Sequence, residues 1–409
     1  MVKPQTVAEV VIPRRHGLDR ARGRRVAAPL ASLIGGDPQP TAAQWQALGQ
    51  GLLQGDPAAD ALVGWMHGGG MAQTRPLFER ALEEGIGALA DPPAPLRAFF
   101  AIVDARPRWL DEALAQEGAR MCGISGMAGL YALRDVALMG GYQSSAINRP
   151  LILTGALAGG TQRRLAETTK WWIDCTAPGA MARLGDGWKS TVRVRVIHAI
   201  IRRHLAARPD WDGALYGLPL NQTDMAATYF GFSVVFLLAQ RRLGVPITRD
   251  EGRAVMHLWR YIGWLMGVDE RWLCDEEPAG RVALYHNVLG QAPPDESSRA
   301  LGRALMDEPL GRHYGRGAWL RRRYQRALHL SVSRLFLGRR GMRALGLPRF
   351  VLPWFPLLSA PVVFVEHWLQ RAFGGRERLA RRGRAVQVDY LRTLFGPAAP
   401  GIRALPDDG

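Results

Sequence analysis

Two stretches of this chain carry side chains whose types and spacing suit chemistry. The first is Val192-Arg-Val-Arg-Val-Ile-His198-Ala-Ile-Ile-Arg-Arg-His204-Leu205. At about 100° per residue on a helix, Val194, Ile201 and Leu205 fall within about 60° of His198, with Ile197 just beyond. Arg195 and Arg202 flank the same histidine from the other side. A histidine at the border of an apolar stripe has two uses. It can be a satisfied core residue, or it can be an axial ligand to a haem, with the stripe against the porphyrin and the two arginines near the propionates. The second stretch is Arg164-Leu-Ala-Glu167-Thr168-Thr-Lys-Trp171-Trp172-Ile-Asp-Cys175. Arg164, Thr168, Trp171 and Cys175 share one stripe of that helix, with Glu167 at its edge. Arg164 and Glu167 could be a surface ion pair worth about 0.2–0.5 kcal/mol. In a pocket, Arg164, Thr168 and Glu167 would instead supply a cation, a hydroxyl donor and a proton acceptor.

Other motifs fall away on inspection. Trp65-Met-His67-Gly-Gly-Gly-Met71 contains the HGGG string of an esterase oxyanion hole, but the chain has no GxSxG nucleophile elbow to go with it. A helix-ending loop is the expectation there. Gly123, Gly126 and Gly129 are spaced GxxGxxG and follow no strand signal, so they make no dinucleotide fingerprint. The nine histidines are scattered, and the three cysteines (Cys122, Cys175, Cys274) form neither a CxxC pair nor a CxxCH haem attachment.

The elements that must position these residues read as helices. Thr41-Ala-Ala-Gln44 and Thr248-Arg-Asp-Glu251 are capping boxes, and Asn221 caps a long apolar helix over 225–239. Amphipathic patterns cover 58–66, 74–89, 96–103 and 109–118. Residues 121–138 are rich in Gly, Ala and Ser, which permits close approach of another helix or of a flat ligand. Strand signals are scarce, and the fold class is all-α. Residues 350–365 are uncharged but hold Pro353, Pro356 and Pro361, too short and broken a run to span a bilayer. It suits an interfacial segment or a core strip.

The formal net charge is +17, built on 50 arginines and only three lysines. From Arg312 to Gly409 there are 19 arginines against five acids, so the last quarter holds +14 and the rest +3. The basic region points to an anionic membrane surface; nucleic acid ranks last, because the body has no nucleic-acid motif. Residues 1–40 are Arg/Pro/Gly-rich, a basic arm in which Arg24-Arg25 precede a short, proline-broken apolar run. Export by a twin-arginine signal is not expected, and a cytoplasmic, membrane-associated protein is. The expected division is an arm over 1–40, a main domain over 41–345 and an arginine-rich extension over 346–409.

The chain resembles the latex clearing protein (rubber oxygenase) and MpaB-type oxygenase family. The residues that carry the likeness are Arg164-Leu-Ala-Glu-Thr168-Thr-Lys-Trp-Trp, Pro178-Gly, Gly187-Trp188 and Val192-Arg-Val-Arg-Val-Ile-His198-Ala-Ile-Ile-Arg. Asp60-Ala, Leu218-Pro-Leu-Asn-Gln-Thr-Asp with Thr228, and Trp259-Arg-Tyr-Ile-Gly-Trp-Leu-Met-Gly-Val agree. The resemblance implies a globin-like helical core with additional peripheral helices holding non-covalent haem b, and use of O2 on a carbon–carbon double bond of an isoprenoid. By the same resemblance His198 matches the proximal iron ligand, and Arg164 and Thr168 match pocket positions. Glu167 stands where rubber oxygenases have a lysine, and Asn148 lies where the family has a distal glutamate. A carboxylate at Glu167 is then a candidate general base at an allylic C–H. The alternative function is a non-catalytic haem- or lipid-binding helical protein docked at a membrane.

Overall fold

The computed structural model describes residues 11–155, 160–373, 375–398 and 401. Among them every regular element is helical, as the sequence leads one to expect. The two capping boxes form as read: Thr41 with Gln44 starts Ala42–Gly51, and Thr248 with Glu251 starts Arg249–Leu265. Asn221 accepts from the Asp224 amide and starts Gln222–Phe230. Gly68 and Gly69 end the Pro57–Gly68 helix, and Gly70, at φ 81°, turns the chain into Met71–Glu84. The HGGG string is therefore the expected loop.

The centre of the molecule is the Arg249–Leu265 helix, which lies along Glu112–Ile124. Gly118 makes this approach feasible, since a Cβ there would land on the Ala254 carbonyl. The small residues further on serve the same purpose. Gly123 and Gly126 receive the C-terminal helix Arg376–Phe395, whose Gly383 packs against the Gly123 carbonyl. Of the two uses open to the glycine-rich stretch, these glycines take the helix rather than the flat ligand.

Two helices depart from the α-helical hydrogen-bond pattern at matching places. Ala132–Leu138 and Gly231–Val235 are π-helical turns, and they face one another, with Gly231 beside the Ala137 methyl. Such turns widen a helix locally and recur at functional sites. The apolar helix read over 225–239 is thus one helical run with a wide turn in its middle. A buried polar network fixes the first π turn: Arg134 bonds Asp135 (2.5 Å) and Glu308 (3.0 Å), and His329 Nδ1 bonds Asp135 (2.6 Å). Burial alone would raise the Glu308 carboxyl, but Arg134 and Arg312 hold it down at about 2.

Neither end of the chain is a separate unit within the described residues. The basic arm contains a helix, Arg20–Ala31, with Gly23 pressed on the Leu289 backbone. Arg15 is buried and bonds Asp224 (2.5 Å) and the Tyr216 carbonyl (3.0 Å). The arm is docked, and its helix, which the Arg/Pro/Gly-rich composition did not signal, runs through Pro29. At the other end, Gln387 donates to the Cys122 (2.9 Å) and Gly126 (3.1 Å) carbonyls, and Leu379 and Leu391 belong to the main core. The arginine-rich extension therefore completes the body rather than following it.

Candidate functional site

The two stretches singled out by residue type form a helix pair, Thr161–Cys175 and Asp186–Ala206. They touch tightly at one end. A Cβ on Gly187 would lie 2.9 Å from the Asp174 carbonyl oxygen and the Cys175 Cα, so glycine lets the backbones meet. Thr191 Oγ1 accepts from Trp171 Nε1 (3.2 Å), donates to the Gly187 carbonyl (2.7 Å) and lies 3.2 Å from Cys175 Sγ. Trp171 continues into an aromatic floor: Phe232 sits 5.3 Å from it, edge-on, and stacks on Trp259 at 4.8 Å.

Toward the other end the same two stripes lose contact. On one helix the order is Cys175, Trp171, Thr168, Arg164; the first two are buried, Thr168 is exposed and Arg164 half-buried. On the other it is Gly187, Thr191, Val194, His198 and Ile201; the first two are buried and the last three half-buried. The geometry is a wedge, closed at Trp171 and Thr191 and open where Thr168, Arg164 and His198 lie. Val194, Ile197 and Ile201 are apolar side chains left partly accessible on its wall.

His198 stands on that wall. Burial, then the charges of Arg202 and Arg164, push its imidazole down to about 4, so it is neutral near pH 7. Its Nδ1 is buried without a hydrogen-bond partner, and no described residue bonds its Nε2. A satisfied core histidine would have a partner for its buried Nδ1. A neutral, unpartnered imidazole facing an apolar cleft has the character of a metal ligand. Among the described residues no three His, Cys, Asp or Glu are grouped to hold a bare ion. A porphyrin brings four nitrogens of its own and asks the protein for one. The residues present fit that group.

The other expected site residues divide. Arg195 and Arg202 do not face the cleft. Arg195 is buried in a two-point pair with Asp56 (2.6 and 2.9 Å), and Arg202 bonds Asp60 (2.9 Å) and the Leu220 carbonyl (2.8 Å). Both partners belong to the start of the Pro57–Gly68 helix, so these arginines fasten that helix to the histidine helix. The expectation that they meet propionates is corrected: their charges are already matched, and they reach His198 only through space. Sequence reasoning missed Asp56 as their partner, although Asp60-Ala was in view. Arg164, by contrast, has no carboxylate bonded to it among the described residues; its Nη1 donates to Thr154 Oγ1 (3.3 Å), and burial lowers its basicity against the pull of the nearby Tyr142 and Glu167. Among the described residues no ion pair forms with Arg164, and none bonds the Thr168 hydroxyl in the opening.

Glu167 is engaged by a neighbour on its own helix: its side chain, 19% exposed, pairs with Arg163 (2.9 Å), which is 68% exposed. The reading of Glu167 as a base aimed into the pocket gains nothing from this placement. Asn148 is likewise committed, fully buried with Nδ2 donating to the Tyr142 carbonyl (2.8 Å) and Ser298 Oγ (3.1 Å). Phe232 and the two π turns were not foreseen. The apolar run over 225–239 signalled a buried helix, but nothing in it marked where the helix widens.

A neutral histidine and one arginine, Arg164, on an apolar wedge between two helices are what the site offers chemically. Comparison with known proteins narrows this. The family described as ER-bound oxygenase mpaB/B'/rubber oxygenase, catalytic domain, matches residues 126–372, and the chain belongs to that family. It is similar to the rubber oxygenase of Streptomyces sp. (strain K30), 25% identical over 212 residues, which are 50% of this chain and 51% of that protein. The chain thus spans about half the length of this curated relative. Its fold is similar to that of latex clearing protein in the closed state, with a TM-score of 0.58 at 18% identity, over 86% of this chain and 92% of that one.

Proposed function

We propose that this chain is a haem b-dependent oxygenase that uses O2 to oxidise or cleave a carbon–carbon double bond in an apolar, isoprenoid-like molecule. Membership of an oxygenase family supports the O2 chemistry. The observation that carries the cofactor is His198 on the wall of the wedge, neutral, with Nδ1 buried and unpartnered and Nε2 bonded by no described residue. When bound, the haem supplies an iron centre at which O2 is activated.

The residues of the chain then have separate tasks. His198 offers a lone pair on Nε2; protonation would remove it, and burial with the neighbouring guanidiniums prevents protonation near neutral pH. Val194, Ile197, Ile201 and Phe232 keep water from the cleft and favour an apolar guest. Arg164, unpaired with any carboxylate among the described residues, would hold a propionate. Thr168 Oγ1 is placed to donate a hydrogen bond to a polar atom in the opening. Glu167, paired with Arg163, is assigned no proton transfer in this reading. Cleavage of a trisubstituted carbon–carbon double bond by O2 yields a ketone and an aldehyde, with one oxygen atom from O2 in each product and no reductant consumed.

The test is preparation of haem-replete protein, with incubation of a short isoprenoid under labelled O2. The reading expects bound haem b released into acid solvent, and label in both carbonyl products. Haem-replete protein that consumes no O2 with any unsaturated isoprenoid would leave the non-catalytic alternative in its place.

A further inference from the structure

The Trp354–Ala372 helix packs Trp354, Phe355 and Pro356 inward and still leaves a second apolar face in water. A surface helix ordinarily turns its apolar face to the core and its polar face outward. Here the inward face carries His367, 6% exposed, and Arg371 bound to Glu251 (3.1 Å), beside Phe355 and Pro356, while Glu366 pairs with Arg382 (2.6 Å) at the surface. The outward face carries Leu358, Val362, Val365 and Trp368, which are 69, 65, 53 and 59% exposed. Their spacings of four, three and three residues make one continuous stripe along the helix. Phe350 before the helix and Phe373 after it, 100 and 83% exposed, prolong the stripe. Trp319 adds to it beside the helix start, where Tyr324 packs on Trp354 at 5.9 Å. An apolar surface of this length on a monomer marks an interaction site.

Charge decides what covers it. The stripe lies in the quarter of the chain with 19 arginines and five acids. Arg349, Arg378 and Arg381 are exposed near its ends without a carboxylate partner among the described residues, and Arg323 lies 4.4 Å over the Trp319 ring. A second copy related by a two-fold axis would bring this basic border against itself. Among the described residues no helix is long and apolar enough to cross a membrane. We propose that this face docks on an anionic lipid bilayer, with the Trp354–Ala372 helix lying in the interface plane, its stripe at the headgroup–acyl boundary and the arginines on lipid phosphates. The proposal is independent of the oxygenase reading, since it uses no residue of the cleft. Its consequence is that an apolar substrate dissolved in the bilayer meets the protein at high local concentration.

The experiment is flotation of the full chain with phosphatidylcholine vesicles, with and without phosphatidylglycerol, alongside light scattering of the protein alone. Val362→Ser/Trp368→Ser changes only exposed positions; Leu358→Gln/Val365→Gln is the second variant should the first fail to fold. The expected result is flotation with the anionic vesicles that falls by more than about tenfold in either variant, with helical content and melting unchanged. Arg378→Gln/Arg381→Gln weakens it and flattens its salt dependence. Three results overturn the proposal: no flotation, flotation that the apolar variants leave intact, or a stable dimer that these variants split. Loss of haem by the protein would bear on the oxygenase reading and leave this one standing.

Discussion

Acid should selectively weaken the apoprotein through His198. The imidazole is held near 4 in the folded chain, against an ordinary histidine value of about 6.5. Because the folded pKa is lowered, the unfolded chain binds the extra proton between these two values. Stability from this group is present above about 6.5 and is lost as pH falls toward 4. Linkage over that interval gives a loss of about 2 kcal/mol between pH 7 and pH 5, and about 3 kcal/mol by pH 4. The perturbation is His198→Phe, which fills the position with an apolar ring that does not titrate. Urea unfolding of wild-type and variant apoprotein at pH 7, 6 and 5 measures the difference. His329, also held near 4 by burial and Arg134, titrates in both proteins and cancels. The expected outcome is a variant whose stability relative to wild type improves by about 2 kcal/mol from pH 7 to pH 5. Parallel pH profiles would refute the reasoning, since they would mean that the imidazole reaches water or a carboxylate.

Further expectations follow from the same geometry. Asp56→Ala leaves the buried Arg195 guanidinium with only the Leu265 carbonyl at 3.3 Å, and should cost about 3–5 kcal/mol in thermal or urea unfolding; a cost under about 1 kcal/mol would mean that Arg195 finds water. Arg164→Ala should weaken retention of haem but leave retention of its dimethyl ester unchanged, measured by transfer to apomyoglobin; equal loss of both would remove Arg164 from the propionates. Glu167→Gln breaks a pair one helical turn apart worth about 0.3–0.5 kcal/mol and should leave turnover within a few-fold of wild type, as O2 uptake will show. Gly187→Ala drives a Cβ into the Asp174 and Cys175 backbone, should cost about 1–3 kcal/mol, and should loosen haem by opening the closed end of the wedge.

Local signals carried the fold further than they carried the site. Thr41, Asn221 and Thr248 announced helix starts because a cap is a contact between residues two or three apart. The stripes of Arg164 to Cys175 and of Gly187 to His198 were legible for the same reason: helical phase is a property of one segment. What the sequence could not supply was the partner of a charge. Arg195, three residues before His198, and Arg202, four after it, lie within one turn of that histidine, so proximity suggested a shared ligand. Asp56 and Asp60 sit about 140 residues away and take those guanidiniums instead. Glu167 was ambiguous because it stands at the edge of its stripe, where a rotamer toward Arg163 decides the outcome. The Trp354–Ala372 helix shows a different limit: its apolar run was plain, but which side faces the body depends on distant contacts, Arg371 with Glu251 and Ala360 against Gly244.

The measurement that tests the central claim most directly is the absorption spectrum of the purified protein, reconstituted with haem b, beside that of His198→Ala. The account predicts a Soret band at one haem per chain in the wild type, with a shift when the reduced protein meets O2. It predicts loss of that band in His198→Ala and its partial return when free imidazole is added. A haem-replete wild type without the band, or a His198→Ala variant that keeps it unchanged, would contradict the account.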